Sequence, residues 1–194
     1  MLNRYRRQLS NILNKIGNIL VNAGFKAWYV TLLGLILTIL AGSVILIFHQ
    51  EIAVITSGIL YILAGFMDSL DGTVARIRKE VSAWGGFIDA YLDRVEEAAY
   101  LIMLIPSQIN PDPVYIAIFL SLSFLTSYSR SKAHEVGIKL AGVGLMERAE
   151  RIIILGIGVM ITSLIHINVI LIILIFLTGY TVCERVYRIY RATH

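Results

Sequence analysis

The chain has 194 residues, of which 57% are hydrophobic and 15% charged, and its formal net charge is +4. A mean hydropathy of +0.76 indicates a polytopic membrane protein and argues against an ordinary soluble domain. The single cysteine, Cys183, excludes an internal disulfide and a cysteine-based metal cluster, so redox chemistry is not indicated.

The first segment, residues 1–24, has the pattern of an amphipathic helix that lies flat on a membrane. Leu13, Ile16 and Leu20 fall on one helical face, and Asn14 and Lys15 fall on the other. The basic side chains near its start are expected to meet anionic lipid headgroups; they are Arg4, Arg6 and Arg7. The alternative is a poorly ordered basic tail.

Six apolar stretches follow, each close to the ~20 residues that a helix needs to cross a bilayer. They cover residues 27–48, 52–75, 84–106, 113–131, 150–165 and 167–186. Lysine and arginine are concentrated at the N-terminus and in 76–79, 130–148 and 185–191, which predicts that both termini face the cytoplasm. The sequence therefore predicts an all-α, multi-pass protein of the cell membrane. Its one domain, 1–194, would combine an interfacial helix (1–24) with a bundle of six transmembrane helices (27–191).

Four aspartates interrupt the apolar pattern. Asp68 and Asp71 end the second stretch, and Asp89 and Asp93 lie inside the third. An ionised carboxylate in hydrocarbon costs about 3 kcal/mol on insertion scales, so a chain that retains four of them is expected to use them. Spacings of three and four residues put each pair on one helical face. Two such faces opposed would form an oxygen-only site suited to Mg²⁺, Mn²⁺ or Ca²⁺.

Small and basic residues accompany the aspartates at fixed offsets. Gly72 and Gly85 lack side chains where a helix or a ligand must approach closely. Arg76 follows one helical turn after Gly72 and is suited to gripping a phosphate. An ion-coupled transporter would also retain buried carboxylates, but it has no reason to keep these offsets, and the chain has no internal repeat.

The pattern resembles the signature of the CDP-alcohol phosphotransferase family, D-x-x-D-G-x-x-A-R, eight residues, then G-x-x-x-D-x-x-x-D. Every fixed position is present. The resemblance implies that a hydroxyl of a small alcohol attacks the lipid-linked phosphorus of a CDP-lipid, and that CMP leaves. It implies that four residues bind Mg²⁺ or Mn²⁺, as two ions per site: Asp68, Asp71, Asp89 and Asp93. Asp93 would also be the catalytic base.

The resemblance also implies a set of CDP-lipid contacts: Thr31, Asp68, Asp71, Gly72, Ala75, Arg76 and Gly85. At the start of the first span the chain departs from the family pattern. Relatives often carry Pro-Asn or Pro-Asp before the threonine, whereas this chain has Trp28 and Tyr29, which leaves Thr31 as the polar candidate. The two aromatic residues are interpreted as an interfacial belt.

The second half of the chain resembles the inositol-phosphate-accepting branch of that family. Its matching basic positions are Arg130, Lys132, Arg151 and Arg185. Converging cations suit a phosphomonoester with nearly two negative charges, which a neutral alcohol does not require. Each residue could equally be a topological anchor, and glycerol 3-phosphate is the alternative acceptor. The resemblance implies a homodimer; the other expected partners are the CDP-lipid and membrane lipids, and no nucleic acid is expected.

Overall fold

The computed structural model describes residues 2–140 and 142–193, with side chains from Ser10 onward. The regular elements in that part of the chain are seven α-helices: α1 (Leu2–Asn22), α2 (Ala27–Ile47), α3 (Glu51–Arg78), α4 (Ala83–Leu104), α5 (Pro113–Glu135), α6 (Arg148–Met160) and α7 (Ile167–Thr193). Helices α2 to α7 fall on the six predicted apolar stretches, and α1 falls on the predicted amphipathic segment. The all-helical fold is therefore confirmed.

A short connection joins α3 to α4 and brings the two aspartate pairs side by side. Lys79 adopts the left-handed conformation, with φ of 56°, and ends α3. Ser82 then caps α4, because its hydroxyl accepts a hydrogen bond of 3.0 Å from the backbone N–H of Gly85. With so few residues between them, the end of α3 and the start of α4 must be neighbours in space.

Helix α3 lies at the centre of the bundle and packs against α1, α2 and α6. Its backbone touches that of α6, since a β-carbon added at Gly58 would lie 2.5 Å from the carbonyl oxygen of Gly156. Tyr61 of α3 and Tyr100 of α4 stack with ring centroids 3.8 Å apart. These contacts hold α4 and α6 against the same central helix.

Helix α1 packs on the C-terminal half of α3. A β-carbon added at Gly17 would lie 3.0 Å from the side chain of Ile77, so the two helices cross closely there. Leu13, Ile16 and Leu20 pack against a buried cluster that includes Leu70. Part of the apolar face predicted to meet the membrane therefore contacts the protein, whereas Ile12 and Ile19 of the same face are exposed. The interfacial position stays a prediction. The side chains of Arg4, Arg6 and Arg7 lie outside the described residues.

Three of the described helices are long and apolar enough to cross a membrane, namely α2, α3 and α7. The predicted count of six is not confirmed. Helix α6 has 13 residues, which corresponds to about 20 Å, whereas the hydrocarbon core is ~30 Å thick. Helix α4 has adequate length but carries five charged residues within its sequence AWGGFIDAYLDRVEEAAYLIML.

Candidate active site

The four aspartates lie on facing parts of α3 and α4. Asp71 is close enough to Asp68 and Asp89 for their charges to repel, and Asp93 is likewise close to Asp68 and Asp89. Helix α2 joins them, because the hydroxyl of Thr31 donates a hydrogen bond of 2.7 Å to the Asp71 carboxylate. The structure thus gathers residues from three helices around one group of acidic side chains.

A guanidinium lies among these carboxylates. Arg148, the first residue of α6, has one nitrogen 2.5 Å from an oxygen of Asp68 and 2.8 Å from an oxygen of Asp93. Its other terminal nitrogen lies 3.2 Å from Glu96. A guanidinium nitrogen of Arg94 lies 3.3 Å from the other carboxylate oxygen of Asp93. Arg148 therefore bridges three acidic side chains on α3 and α4.

In this arrangement, the described residues include no group of three aspartate, glutamate, histidine or cysteine side chains that is close enough to hold a metal ion. The chemistry of the group nevertheless suits a hard cation, because every donor is a carboxylate oxygen. One oxygen of Glu96 and the Nε of Arg148 are both buried without a hydrogen-bond partner, so the polar groups here are not fully paired with one another. Gly34 gives Asp68 its space, since a β-carbon there would lie 2.8 Å from an oxygen of that carboxylate.

A cavity of about 620 Å³ opens beside the acidic group. Six of the seven residues predicted to contact a CDP-lipid line it: Thr31, Asp71, Gly72, Ala75, Arg76 and Gly85. The seventh, Asp68, is not part of the wall and contacts Arg148 instead. Both tryptophans of the chain, Trp28 and Trp84, also line the cavity. The geometry therefore joins a polar, glycine-rich wall to an aromatic one.

Arg151 is buried and has partners on three sides. Its guanidinium makes two hydrogen bonds to the Glu97 carboxylate, at 2.9 and 3.1 Å. It also donates to the Thr126 hydroxyl at 3.1 Å and to the carbonyl oxygen of Met146 at 3.3 Å. The residue ties α6 to α4 and α5, so any contact with an acceptor would be in addition to a structural role.

The other three residues of the predicted acceptor set differ in exposure. Arg185 is 2% exposed and donates to the carbonyl oxygens of Val143 and Thr126. Arg130 is exposed and lies close enough to Arg185 for their charges to interact. Lys132 is exposed and forms an ion pair of 2.8 Å with Glu135. The acceptor site stays a prediction for all four residues.

Comparison with protein families supplies the deciding observation. Residues 26–182 match the family model described as CDP-alcohol phosphatidyltransferase. The chain belongs to this family. Because the family consists of transferases and the match covers most of the chain, this phosphatidyltransferase is an enzyme, and the interpretation as a transporter is set aside.

Among the relatives of this phosphatidyltransferase is an archaetidylinositol phosphate synthase from Pyrococcus horikoshii, 31% identical over 96% of this chain and 95% of the relative. A phosphatidylinositol phosphate synthase from Streptomyces avermitilis is 32% identical over 79% of this chain and 64% of the relative. The fold is shared with crystal structures of the Mycobacterium tuberculosis phosphatidylinositol phosphate synthase. The one with CDP-DAG bound has 23% identity and a TM-score of 0.75, covering 93% of this chain and 94% of that one. The one in complex with manganese and citrate also has 23% identity, with a TM-score of 0.72. It covers 92% of this chain and 88% of the solved one.

The residue of this phosphatidyltransferase that sequence analysis missed is Arg148. One signal could have revealed it. A positive charge in the first turn of a helix opposes the helix dipole, so an arginine at that position needs acidic partners from elsewhere in the fold. Glu96 and Glu97, in the middle of α4, were acids available to Arg148 and Arg151 respectively.

Proposed function

We propose that the chain transfers the lipid-linked phosphate group of a CDP-lipid to a hydroxyl of inositol 1-phosphate and releases CMP. The observation that carries this proposal is the cavity, whose wall combines Arg76 and three glycines with the carboxylates of Asp71 and Asp89. Arginine pairs with phosphate oxygens, and backbone without side chains lets a pyrophosphate approach closely. The names of the relatives support the same reaction class.

Divalent cations, Mg²⁺ or Mn²⁺ and two per site, would be held by Asp68, Asp71, Asp89 and Asp93. When bound, they would neutralise charge on the phosphate oxygens as the reacting bonds change. A relative's crystal structure in complex with manganese supports this choice of cation. Arg148 would be expected to move away from Asp68 and Asp93 when the cations bind, because its guanidinium contacts one oxygen of each and would repel a dication held there.

The chain's own residues would carry the remaining steps. The acceptor hydroxyl oxygen forms a bond to the lipid-linked phosphorus, and its proton passes to a carboxylate oxygen of Asp93. The bond between that phosphorus and the bridging oxygen breaks, and its electron pair leaves with CMP. Arg76 would hold the nucleotide phosphate in line for the reaction. Its guanidinium donates a hydrogen bond of 2.9 Å to the hydroxyl of Thr73, which would orient the arginine side chain.

Arg130, Lys132, Arg151 and Arg185 are proposed to favour an anionic acceptor. Two of them, Arg130 and Lys132, have exposed side chains at the end of α5, and Lys132 would leave its ion pair with Glu135 to reach a ligand. The buried pair, Arg151 and Arg185, would shape the pocket and add positive potential. Inositol phosphate is preferred over glycerol 3-phosphate because the two relatives are, by name, an archaetidylinositol phosphate synthase and a phosphatidylinositol phosphate synthase.

The proposed setting is the cell membrane. Six helices, α2 to α7, would cross it, the short α6 together with the turn residues 161–165 that follow it. Both termini and the active site would be on the cytoplasmic side, and α1 would lie at the interface. The lysines and arginines at the ends of α3, α5 and α7 support this orientation. The chain would act as a single domain and as a homodimer.

The proposal is tested by incubating purified full-length protein with Mg²⁺ or Mn²⁺ and a CDP-lipid. Either CDP-diacylglycerol or CDP-archaeol is supplied, together with inositol 1-phosphate, glycerol 3-phosphate or free inositol in separate reactions. CMP release and the mass of the lipid product are measured. Inositol 1-phosphate is expected to support the fastest release. If none of the three acceptors supported CMP release with either CDP-lipid, the proposed activity would be overturned. Faster release with glycerol 3-phosphate than with inositol 1-phosphate would overturn the proposed acceptor.

A further inference from the structure

The chain contains two tryptophans, and both line the same cavity. Trp28 lies on the first turn of α2 and Trp84 on the first turn of α4, so they reach the cavity from different helices. Their side chains are 56% and 70% exposed, which leaves much of each indole free to contact a ligand. This shared location is what an interfacial belt alone does not require.

One neighbouring aromatic ring contacts each indole. The ring of Trp28 lies 4.0 Å from the ring of Tyr29, and Trp84 stacks on Phe87 with centroids 5.7 Å apart. Neither Tyr29 nor Phe87 lines the cavity. Each tryptophan therefore lines the cavity and has an aromatic neighbour on the same helix that does not, which supplies a matched control.

Arg76 in the cavity wall suits the phosphates of a nucleotide, and the carboxylates of Asp71 and Asp89 line the same cavity. The base of the nucleotide needs a different kind of surface. A flat heterocycle is bound well by aromatic faces, and base stacking contributes about 1–3 kcal/mol per base on alanine substitution, equivalent to roughly 5- to 150-fold in affinity. The cavity offers two such faces and a volume of about 620 Å³.

We propose that Trp28 and Trp84 form the base-binding part of the nucleotide pocket and stack on the cytosine ring of the CDP-lipid. This inference rests on the proposed function and names the residues that would replace the missing polar contact at the start of α2. Stacking supplies affinity for the base, whereas the carboxylates and Arg76 act on the phosphates. Loss of a tryptophan is therefore expected to raise KM for the CDP-lipid while kcat changes little.

Tryptophan fluorescence tests the proposal directly, because Trp28 and Trp84 are the two tryptophans of the chain. CMP is titrated into the purified full chain and is expected to quench the tryptophan emission. Ribose 5-phosphate, which has the sugar and phosphate but no base, is expected to leave the emission unchanged. CMP binding measured separately by equilibrium dialysis shows whether the pocket is occupied. Occupancy without a change in emission would overturn the stacking.

Substitutions supply the second test. Trp28→Ala and Trp84→Ala are each expected to weaken CMP binding about tenfold, and the phenylalanine variants to recover most of the loss. Tyr29→Ala and Phe87→Ala are matched controls from the same helices and the same aromatic pairs, and they are expected to have a much smaller effect. Equal effects in all four alanine variants would indicate an interfacial belt and overturn the proposal. Absence of CMP binding and of CMP release in the unaltered chain would instead contradict the proposed function.

Discussion

Arg148 contacts the side chain of Asp93 at 2.8 Å, so the proposed catalytic base is paired with a cation that the protein itself supplies. The same guanidinium contacts Asp68 and Glu96. A dication held by these carboxylates would lie within a few ångström of the guanidinium, and the two positive charges would repel each other. Metal binding and the Arg148 contacts are therefore expected to compete.

Arg148→Gln is expected to bind Mn²⁺ about tenfold more tightly than the unaltered chain, since a hydrogen bond to a charged group contributes ~1.5–3 kcal/mol and the competitor is removed. Binding is measured by titration calorimetry on purified protein without substrate. Arg94→Gln is the matched control, because Arg94 contacts only Asp93 among the aspartates, at 3.3 Å, and should give a smaller gain. Unchanged or weaker Mn²⁺ binding in Arg148→Gln would contradict the competition.

The proximity of the aspartate pairs was predictable from the sequence, whereas their counter-cation was not. Spacings of three and four residues determine a helical face locally, and the short link between α3 and α4 brings the two faces together. Arg148 lies 55 residues after Asp93, and it arrives through the packing of α6 on α3, at the contact of Gly58 with Gly156. Contacts of this kind depend on tertiary packing that no local pattern specifies. The bundle's helices were predictable for the same local reason, but the 13-residue length of α6 was not.

Asp93→Asn is expected to lower turnover by about 10²- to 10⁴-fold, the usual contribution of a general base. The amide keeps the shape of the side chain but cannot accept the proton from the attacking hydroxyl. CDP-lipid binding, followed by fluorescence or dialysis, is expected to persist, and thermal unfolding checks that the variant is folded. Activity within a few-fold of the unaltered chain would rule out this residue as the base.

Gly72→Ala is expected to separate stability from activity. A β-carbon at Gly72 would approach only Arg76, at 3.6 Å, so the fold has room for it, but the methyl group would project into the cavity. Alanine within a helix is more favourable than glycine by about 0.5–1 kcal/mol, so the unfolding temperature should rise. Crowding of a ligand by a methyl group costs ~1–3 kcal/mol, so affinity for CMP should fall about tenfold.

Gly179→Ala is the control for that substitution. It lies within α7, away from the cavity, and its β-carbon would meet Leu122 at an ordinary distance of 3.9 Å. The same gain in stability is expected there without loss of CMP binding. If both variants bound CMP as the unaltered chain does, Gly72 would not belong to the ligand pocket.

Arg151 allows a structural role to be separated from contact with the acceptor. Arg151→Ala leaves Glu97 buried and unpaired and is expected to lower the free energy of unfolding by ~3–5 kcal/mol. The double variant Arg151→Met with Glu97→Leu removes both charges and should recover most of that stability, because replacing a buried ion pair by apolar residues is often neutral. In this folded variant, KM for inositol 1-phosphate is expected to rise about tenfold, while KM for the CDP-lipid stays constant. Equal changes in both constants would show that Arg151 serves only to join α4, α5 and α6.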